Sequence, residues 1–192
     1  TNNGARLGGY HIRGGGIHST NSYVTMTDCI IKNNKALSYD SWDGSLQGYG
    51  GGIYLAGGGW TIQNTVIANN KMLDGALSGC AFYGAGIYVN GTLTLDNCLI
   101  IGNSRKRGTT SQGGSTDSWP GSPSGAGLYA GGGTITIQNC TFANNNGTGI
   151  TRGNGTVTVR DSVLHHNGVD VSGTMTLLNS DISDASGTGS GC

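Results

Sequence analysis

Glutamate is absent from this chain of 192 residues, and proline occurs only twice. All ten acids are aspartate, and ten Lys and Arg balance them to a formal net charge of zero. Charged residues amount to 10% of the chain and aromatics to 7%. Each shortage excludes a class. A helical bundle needs Leu, Ala, Glu and Lys in abundance, and abundant glycine breaks helices. A membrane-spanning helix needs an apolar run of ~18 residues, and none comes near that length. Zero net charge speaks against a nucleic-acid binder driven by a basic face, and two prolines without a Gly-X-Y period exclude collagen. The five cysteines (29, 80, 98, 140 and 192) contain no CxxC pair, which argues against a zinc site and a dense disulfide framework. No metal and no cofactor is expected, and the pairing of Cys80 and Cys192 is left open. There is no initiator Met, so Thr1 reads as the start of a processed or excised chain.

What is present is glycine, 38 residues or about 20% against a typical ~7%. Together with 18 Asn, 18 Ser and 21 Thr it makes up about half the chain. Such a composition suits disorder unless apolar residues recur regularly. They do. One segment occurs six times: YVTMTDCIIKNN (23–34), GWTIQNTVIANN (59–70), TLTLDNCLIIGN (92–103), TITIQNCTFANN (134–145), TVTVRDSVLHHN (156–167) and TMTLLNSDISDA (174–185). Within it residues alternate with period two, the signature of a strand. Val24, Trp60, Leu93, Ile135, Val157 and Met175 form one apolar column, and Met26, Ile62, Leu95, Ile137, Val159 and Leu177 form another. Thr25, Thr61, Thr94, Thr136, Thr158 and Thr176 lie between them. A polar corner follows (Asp28, Asn64, Asn97, Asn139, Asp161, Asn179), then a small residue (Cys29, Thr65, Cys98, Cys140, Ser162, Ser180). Next comes the apolar column of Ile31, Ile67, Ile100, Phe142, Leu164 and Ile182. Five copies close on Asn: Asn34, Asn70, Asn103, Asn145 and Asn167.

A shorter block precedes most copies: GGGIH (14–18), GGGIY (50–54), GAGIY (84–88), GAGLY (125–129) and GTGIT (147–151). A single such unit cannot bury its apolar face. Stacked units can, each strand pairing in parallel with its copy one turn away at ~4.8 Å. Asn columns can then hydrogen-bond along the stack, and parallel crossovers favour the right hand. The expectation is an all-β, right-handed parallel β-helix. It would form one domain over 1–192, with about six coils of three short strands and a repeat core at about 14–185. In this arrangement Leu95 lies directly over Ile137 in a dry interior.

The paired motifs GG[AG]I and [IF]xxN resemble the polymorphic outer-membrane protein repeat of chlamydial surface autotransporters, within the wider pectate-lyase-like β-helix superfamily. The resemblance runs over residues 14–185 and implies an extracellular or cell-surface module. Only Phe142 supplies the Phe of that pattern, and the last unit lacks the closing Asn.

Three insertions (35–49, 71–83 and 104–124) fall at one corner, between the closing Asn and the next GG block. They carry Tyr39, Trp42, Tyr49, Phe82, Tyr83 and Trp119. Loops on a rigid scaffold often carry function; equally, such aromatics can pack the loops onto the flank. Beside them, alternation points His18, Tyr54, Tyr88, Tyr129 and Thr151 outward as a ladder. Tyr54, Tyr88, Tyr129, Trp42, Trp119 and Tyr83 are the candidate ligand or partner surface, carbohydrate among the candidate partners, with plain cross-strand packing as the alternative.

On another face, Thr92-x-Thr94, Thr134-x-Thr136, Thr156-x-Thr158 and Thr174-x-Thr176 make an array that resembles the ice-binding face of insect-type antifreeze β-helices. Thr also suits any solvated strand face.

Catalysis would need clustered acids, or a base beside a cation. The NTD, DD and GHG motifs of polygalacturonases are absent. Asp40, Asp43, Asp74, Asp117, Arg105 and Arg107 are the nearest lyase-like candidates, and read more simply as solvated loop charges. Adjacent in a strand, His165 and His166 are expected to face opposite sides. No catalytic residue is assigned. The expected function is a non-catalytic extracellular bacterial surface module, adhesin-like or filament-forming. Its partners would be itself through end-to-end stacking, neighbouring coils of a longer chain, or carbohydrate, with no nucleic acid and no membrane insertion. A polysaccharide-binding or polysaccharide-degrading β-helix is the alternative, and ice binding the third reading.

Overall fold

Stacking in register organises the molecule. The computed structural model describes residues 4–7, 11–38, 47–74, 81–107 and 125–186, and their regular structure is β-strand. Every strand pairing is parallel, and each joins a strand to its copy in the next coil. Leu95 pairs with Ile137, and Leu93 with Ile135. The six threonines 25, 61, 94, 136, 158 and 176 form one continuous column. The fold is a parallel β-helix.

Its main sheet has eleven strands and carries both the GG-block strand and the Thr strand of each coil. In the second and third coils these two merge into single strands, Ile53–Gln63 and Ile87–Asp96. A six-stranded sheet carries the Ile31-type column, from Ile30–Lys32 to Asp181–Ile182. The two sheets enclose one apolar interior, in which Ile62, Leu93, Leu95, Ile100, Ile135, Ile137 and Phe142 are fully buried. In the first coil Ile17, Val24 and Met26 are only partly buried, because that rung has a described neighbour on one side alone.

The insertions begin and end as strands. Lys35–Ser38, Lys71–Asp74 and Ser104–Arg107 stack on one another and on Gly4–Leu7. Gln47–Tyr49 and Ala81–Tyr83 stack on His11–Arg13. The first coil therefore has five strands rather than three, the second and third, with their merged main-sheet strands, have four, and the register begins at Gly4, ahead of the first repeat. The added strands enclose a second small core of Ile12, Ala36, Met72, Phe82 and Ala85. Gly48 is part of that design: the Phe82 ring occupies the place of a Cβ there. Sequence periodicity missed these strands because each has only three or four residues, too few to display alternation.

The corners explain the polar columns. Asp28, Asn64, Asn97, Asn139, Asp161 and Asn179 all have φ between 46° and 55°. Asn and Asp enter this left-handed region most readily among residues with a side chain. A second left-handed column, Asn33, Asn69, Gly102, Asn144 and His166, immediately precedes the closing Asn.

The closing Asn column is a buried hydrogen-bonded ladder. Asn34, Asn70, Asn103 and Asn145 each donate Nδ2 to Oδ1 of the next Asn, at 2.8–3.0 Å. That same Oδ1 accepts the backbone N–H of the Asn before it, at 3.0–3.1 Å. The second Nδ2 hydrogen goes to a main-chain carbonyl of the preceding coil, as from Asn103 to Ile67 at 3.0 Å. The ladder also accounts for the third glycine of each GG block. A Cβ on Gly86 would stand 2.5 Å from the Gly127 carbonyl oxygen and 3.1 Å from the Asn103 amide. The two motifs, far apart in sequence, are the two sides of one contact.

Asn103→Ala should leave the buried Asn70 N–H and amide without an acceptor, and cost about 3 kcal/mol or more. Gly86→Ala should destabilise through the clash with main chain. Urea unfolding of both variants checks this, with the exposed Asn90→Ala as a control expected within ~0.5 kcal/mol of the parent.

Candidate functional site

The GG block sets the direction of the residue after its Ile. With Ile53, Ile87 and Leu128 buried in the core, alternation turns Tyr54, Tyr88 and Tyr129 out of the prism. They pair in register with His18 before them and Thr151 after them. The rings are stacked: Tyr54 and Tyr88 lie 5.3 Å apart at 5°, Tyr88 and Tyr129 5.9 Å apart at 7°. They tilt like roof tiles, since the Tyr88 and Tyr129 hydroxyls occupy the places of Cβ atoms on Gly131 and Gly153, one coil further on.

The insertion stems bring a second row. Tyr49 and Tyr83 stack on each other at 5.4 Å. Tyr49 meets the edge of Tyr88 at 4.7 Å, and Tyr83 meets Tyr129 at 4.7 Å. Arg13 sits 5.6 Å from the Tyr54 ring centre, a cation–π contact. Five tyrosines thus fill the notch between the main sheet and the stems. Tyr54 is buried and the other four are half-buried. The sequence pointed to Tyr54, Tyr88, Tyr129 and Tyr83 as one surface, and these four do converge. The ring faces are largely taken by neighbouring rings. Trp42 and Trp119 lie outside the described residues.

Burial and mutual proximity show in the phenols. Desolvation, followed by the neighbouring Tyr49, Tyr54, Tyr129 and Tyr83, pushes Tyr88 up to about 12. Tyr49 and Tyr129 are raised for the same leading reason.

Residues 117–191 match the family model described as right-handed beta helix region. The fold is a right-handed parallel β-helix. No curated protein and no solved structure matches the chain.

Several titratable groups outside the notch are engaged in structure. Asp170, fully buried, terminates the Asn ladder. Its Oδ1 accepts Asn167 Nδ2 at 2.7 Å and the Asn167 N–H at 3.3 Å. Its Oδ2 accepts the main-chain N–H groups of Ser183 and Asp184, each at 3.0 Å, and the Ser183 hydroxyl. Burial opposes the charge, but these donors together outweigh it and hold the carboxyl below its ordinary range. Sequence reading missed Asp170. Its signal was the absence of a closing Asn in the last unit, since a ladder that ends needs an acceptor that does not donate.

Along the outer corner Asn64 donates to Asp28 at 3.0 Å and Asn97 to Asn64 at 2.9 Å, while Asn139 donates to Asp96. That bond leads the causes holding the Asp96 carboxyl low. His165 and His166 do not face opposite sides as expected. The left-handed turn at His166 (φ 56°) breaks the alternation and leaves the ring centres 5.9 Å apart. His165 Nε2 lies 3.1 Å from Asp181 Oδ2. Among the described residues no group of three or more His, Cys or Asp could hold a metal ion. Asp40, Asp43 and Asp117 lie outside the described residues. Asp74 stands opposite Arg107 in the stem ladder, and Arg105 donates to the Phe82 carbonyl at 3.4 Å. Thr92, Thr134, Thr156 and Thr174 are exposed, and Thr94, Thr136, Thr158 and Thr176 half-exposed.

Two pH dependences follow. Tyr88, raised in the fold, stabilises fully below its unfolded value of about 10, and this contribution is lost as pH rises toward about 12. Tyr88→Phe should remove the last-ionising phenol from an ultraviolet titration and flatten that alkaline loss. Asp170, depressed in the fold, stabilises fully above about 3.9, and this contribution is lost as pH falls through its lower folded value. Asp170→Asn should cost about 2 kcal/mol at neutral pH, because its amide would face the donors of Ser183 and Asp184. Its acid loss should be shallower than the parent's, measured by urea unfolding against pH.

Proposed function

We propose that this chain is a non-catalytic extracellular module of a bacterial surface protein, a rigid β-helix that presents three insertions along one edge to a polysaccharide or another cell-surface partner. One observation carries the reading. The stem tyrosines Tyr49 and Tyr83 are locked into the Tyr54–Tyr88–Tyr129 ladder, so insertion stems leave the scaffold at a shared, aromatic-packed edge. Side chains held this way lose little further freedom when a partner binds. The GG[AG]I and [IF]xxN motifs, with their resemblance to the polymorphic outer-membrane protein repeat, support the surface location.

The adhesin-like form is favoured over the filament-forming one. Donation along the buried ladder runs from Asn34 toward Asp170, and a carboxylate there cannot pass it on to a further amide. That argues against in-register stacking of a second copy on the C-terminal coil. Consistent with a non-catalytic role, Asp170, Asp96 and Asp28 serve as hydrogen-bond acceptors for Asn side chains of the coils.

The test compares the full chain with a variant in which 39–46, 75–80 and 108–124 are replaced by short Gly/Ser turns, on a glycan array and on intact bacterial and host cells. Binding by the parent and its loss in the variant, with strand content unchanged, supports the proposal. Equal binding by both, or release of reducing ends or unsaturated products from a polyuronate, would overturn it.

A further inference from the structure

The small-residue column at the inner corner accepts any short donor. Thr65, Ser162 and Ser180 each donate a hydroxyl hydrogen to the carbonyl two residues earlier, at 2.7–2.8 Å. Cys140 does the same with its thiol toward Gln138, at 3.0 Å. Serine or threonine would satisfy the fold at every position, yet two consecutive rungs, the third and fourth, carry Cys98 and Cys140. Both are free, and only 3% and 1% exposed. The residues after them, Leu99 and Thr141, pair in register, and the Thr141 N–H donates to the Cys98 carbonyl at 2.9 Å. The main chains of the two cysteines are therefore one rung apart, ~4.8 Å, inside the Cα separation of 4.4–6.8 Å usual for a disulfide.

We propose that Cys98 and Cys140 are a modification site, a cross-rung pair that a hydroperoxide converts to a disulfide joining the third and fourth coils. The placement gives the bond a purpose. The step from Cys98 to Cys140 contains the longest insertion, 104–124, and the link joins the rung before that insertion to the rung after it. Cross-links that close long loops constrain the unfolded chain most. The neighbouring Cys140 holds the Cys98 thiol below the ordinary thiol range, while Cys98 and burial push Cys140 up. Attack from either sulfur leads to the same disulfide, here from Cys98.

Its thiolate attacks one oxygen of hydrogen peroxide; the O–O bond breaks, and the leaving hydroxide is protonated to water. The resulting sulfenic acid is attacked at sulfur by Cys140. The S–O bond breaks, and hydroxide leaves with the Cys140 proton as a second water. Two thiols lose two electrons and one peroxide is reduced. Hydrogen peroxide is small enough for a buried pair that bulkier disulfide oxidants would not reach. This inference does not rest on the proposed surface role.

The experiment uses the full chain with Cys80 and Cys192 changed to Ser, and the unaltered sequence in parallel. Each is treated with hydrogen peroxide, unfolded, alkylated and mapped by peptide mass. A Cys98–Cys140 linked peptide in both proteins, with a thermal midpoint raised by several degrees over the reduced form, supports the proposal. Cys140→Ser retains a donor native to this column, so it should fold, show no rise and form no link. Full alkylation of both cysteines after peroxide, a link from either to Cys29, or over-oxidation of Cys98 with Cys140 still free would overturn it.

Discussion

In a coil of this kind each apolar side chain is covered by its own counterpart from the next turn. Ile62, Leu95, Ile137 and Val159 succeed one another in a single column and are fully buried. A slip of one residue in any strand would turn that column out to water. The buried Asn ladder guards against such a slip. Each amide spends both hydrogens and its oxygen on fixed partners in adjacent coils, and a displaced register would leave several of these groups unpaired in a dry environment, at about 1–3 kcal/mol each. Apolar stacking supplies the stabilisation, and the amides supply the alignment.

Alignment has consequences away from the core. The third glycine of every GG block exists because the ladder passes where its Cβ would stand. The first lies at positive φ, as at Gly14, Gly50 and Gly84. The Ile after them faces the core, which aims the following tyrosine outward. Three tyrosines on successive rungs must then stack, since the rung spacing is close to the separation of stacked rings. Thus a hydrogen-bonding requirement inside the coil determines the aromatic row outside it, and that row receives the stems of the insertions.

Much of this was legible in the residues. Period-two columns predicted the strands, the recurrence of Thr25 to Thr176 predicted their register, and the Leu95–Ile137 stack is present. The stem strands were not legible, because segments such as Gln47–Tyr49 are too short to show a period. Their membership in a sheet is decided by the strands they lie against. The packing of Tyr49 between Tyr83 and Tyr88 was hidden for the same reason. The two histidines illustrate the limit of alternation: it fails wherever the main chain leaves the extended region, as at His166.

Sequence by itself determined the architecture, because a repeated alternation of apolar and polar residues with fixed corner amides has one economical burial, in which like lies on like. It also determined which columns face in and which face out. Only the tertiary structure decided the roles of single residues that break the repeat. Asp170 becomes the end of a ladder because Ser183 and Asp184 return to it. The two central cysteines become neighbours because the chain returns 42 positions later, one rung away. Five tyrosines become one cluster because the stem strands bring Tyr49 and Tyr83 against the main-sheet row. Each of these depends on distances between segments remote in sequence, which a one-dimensional pattern does not contain.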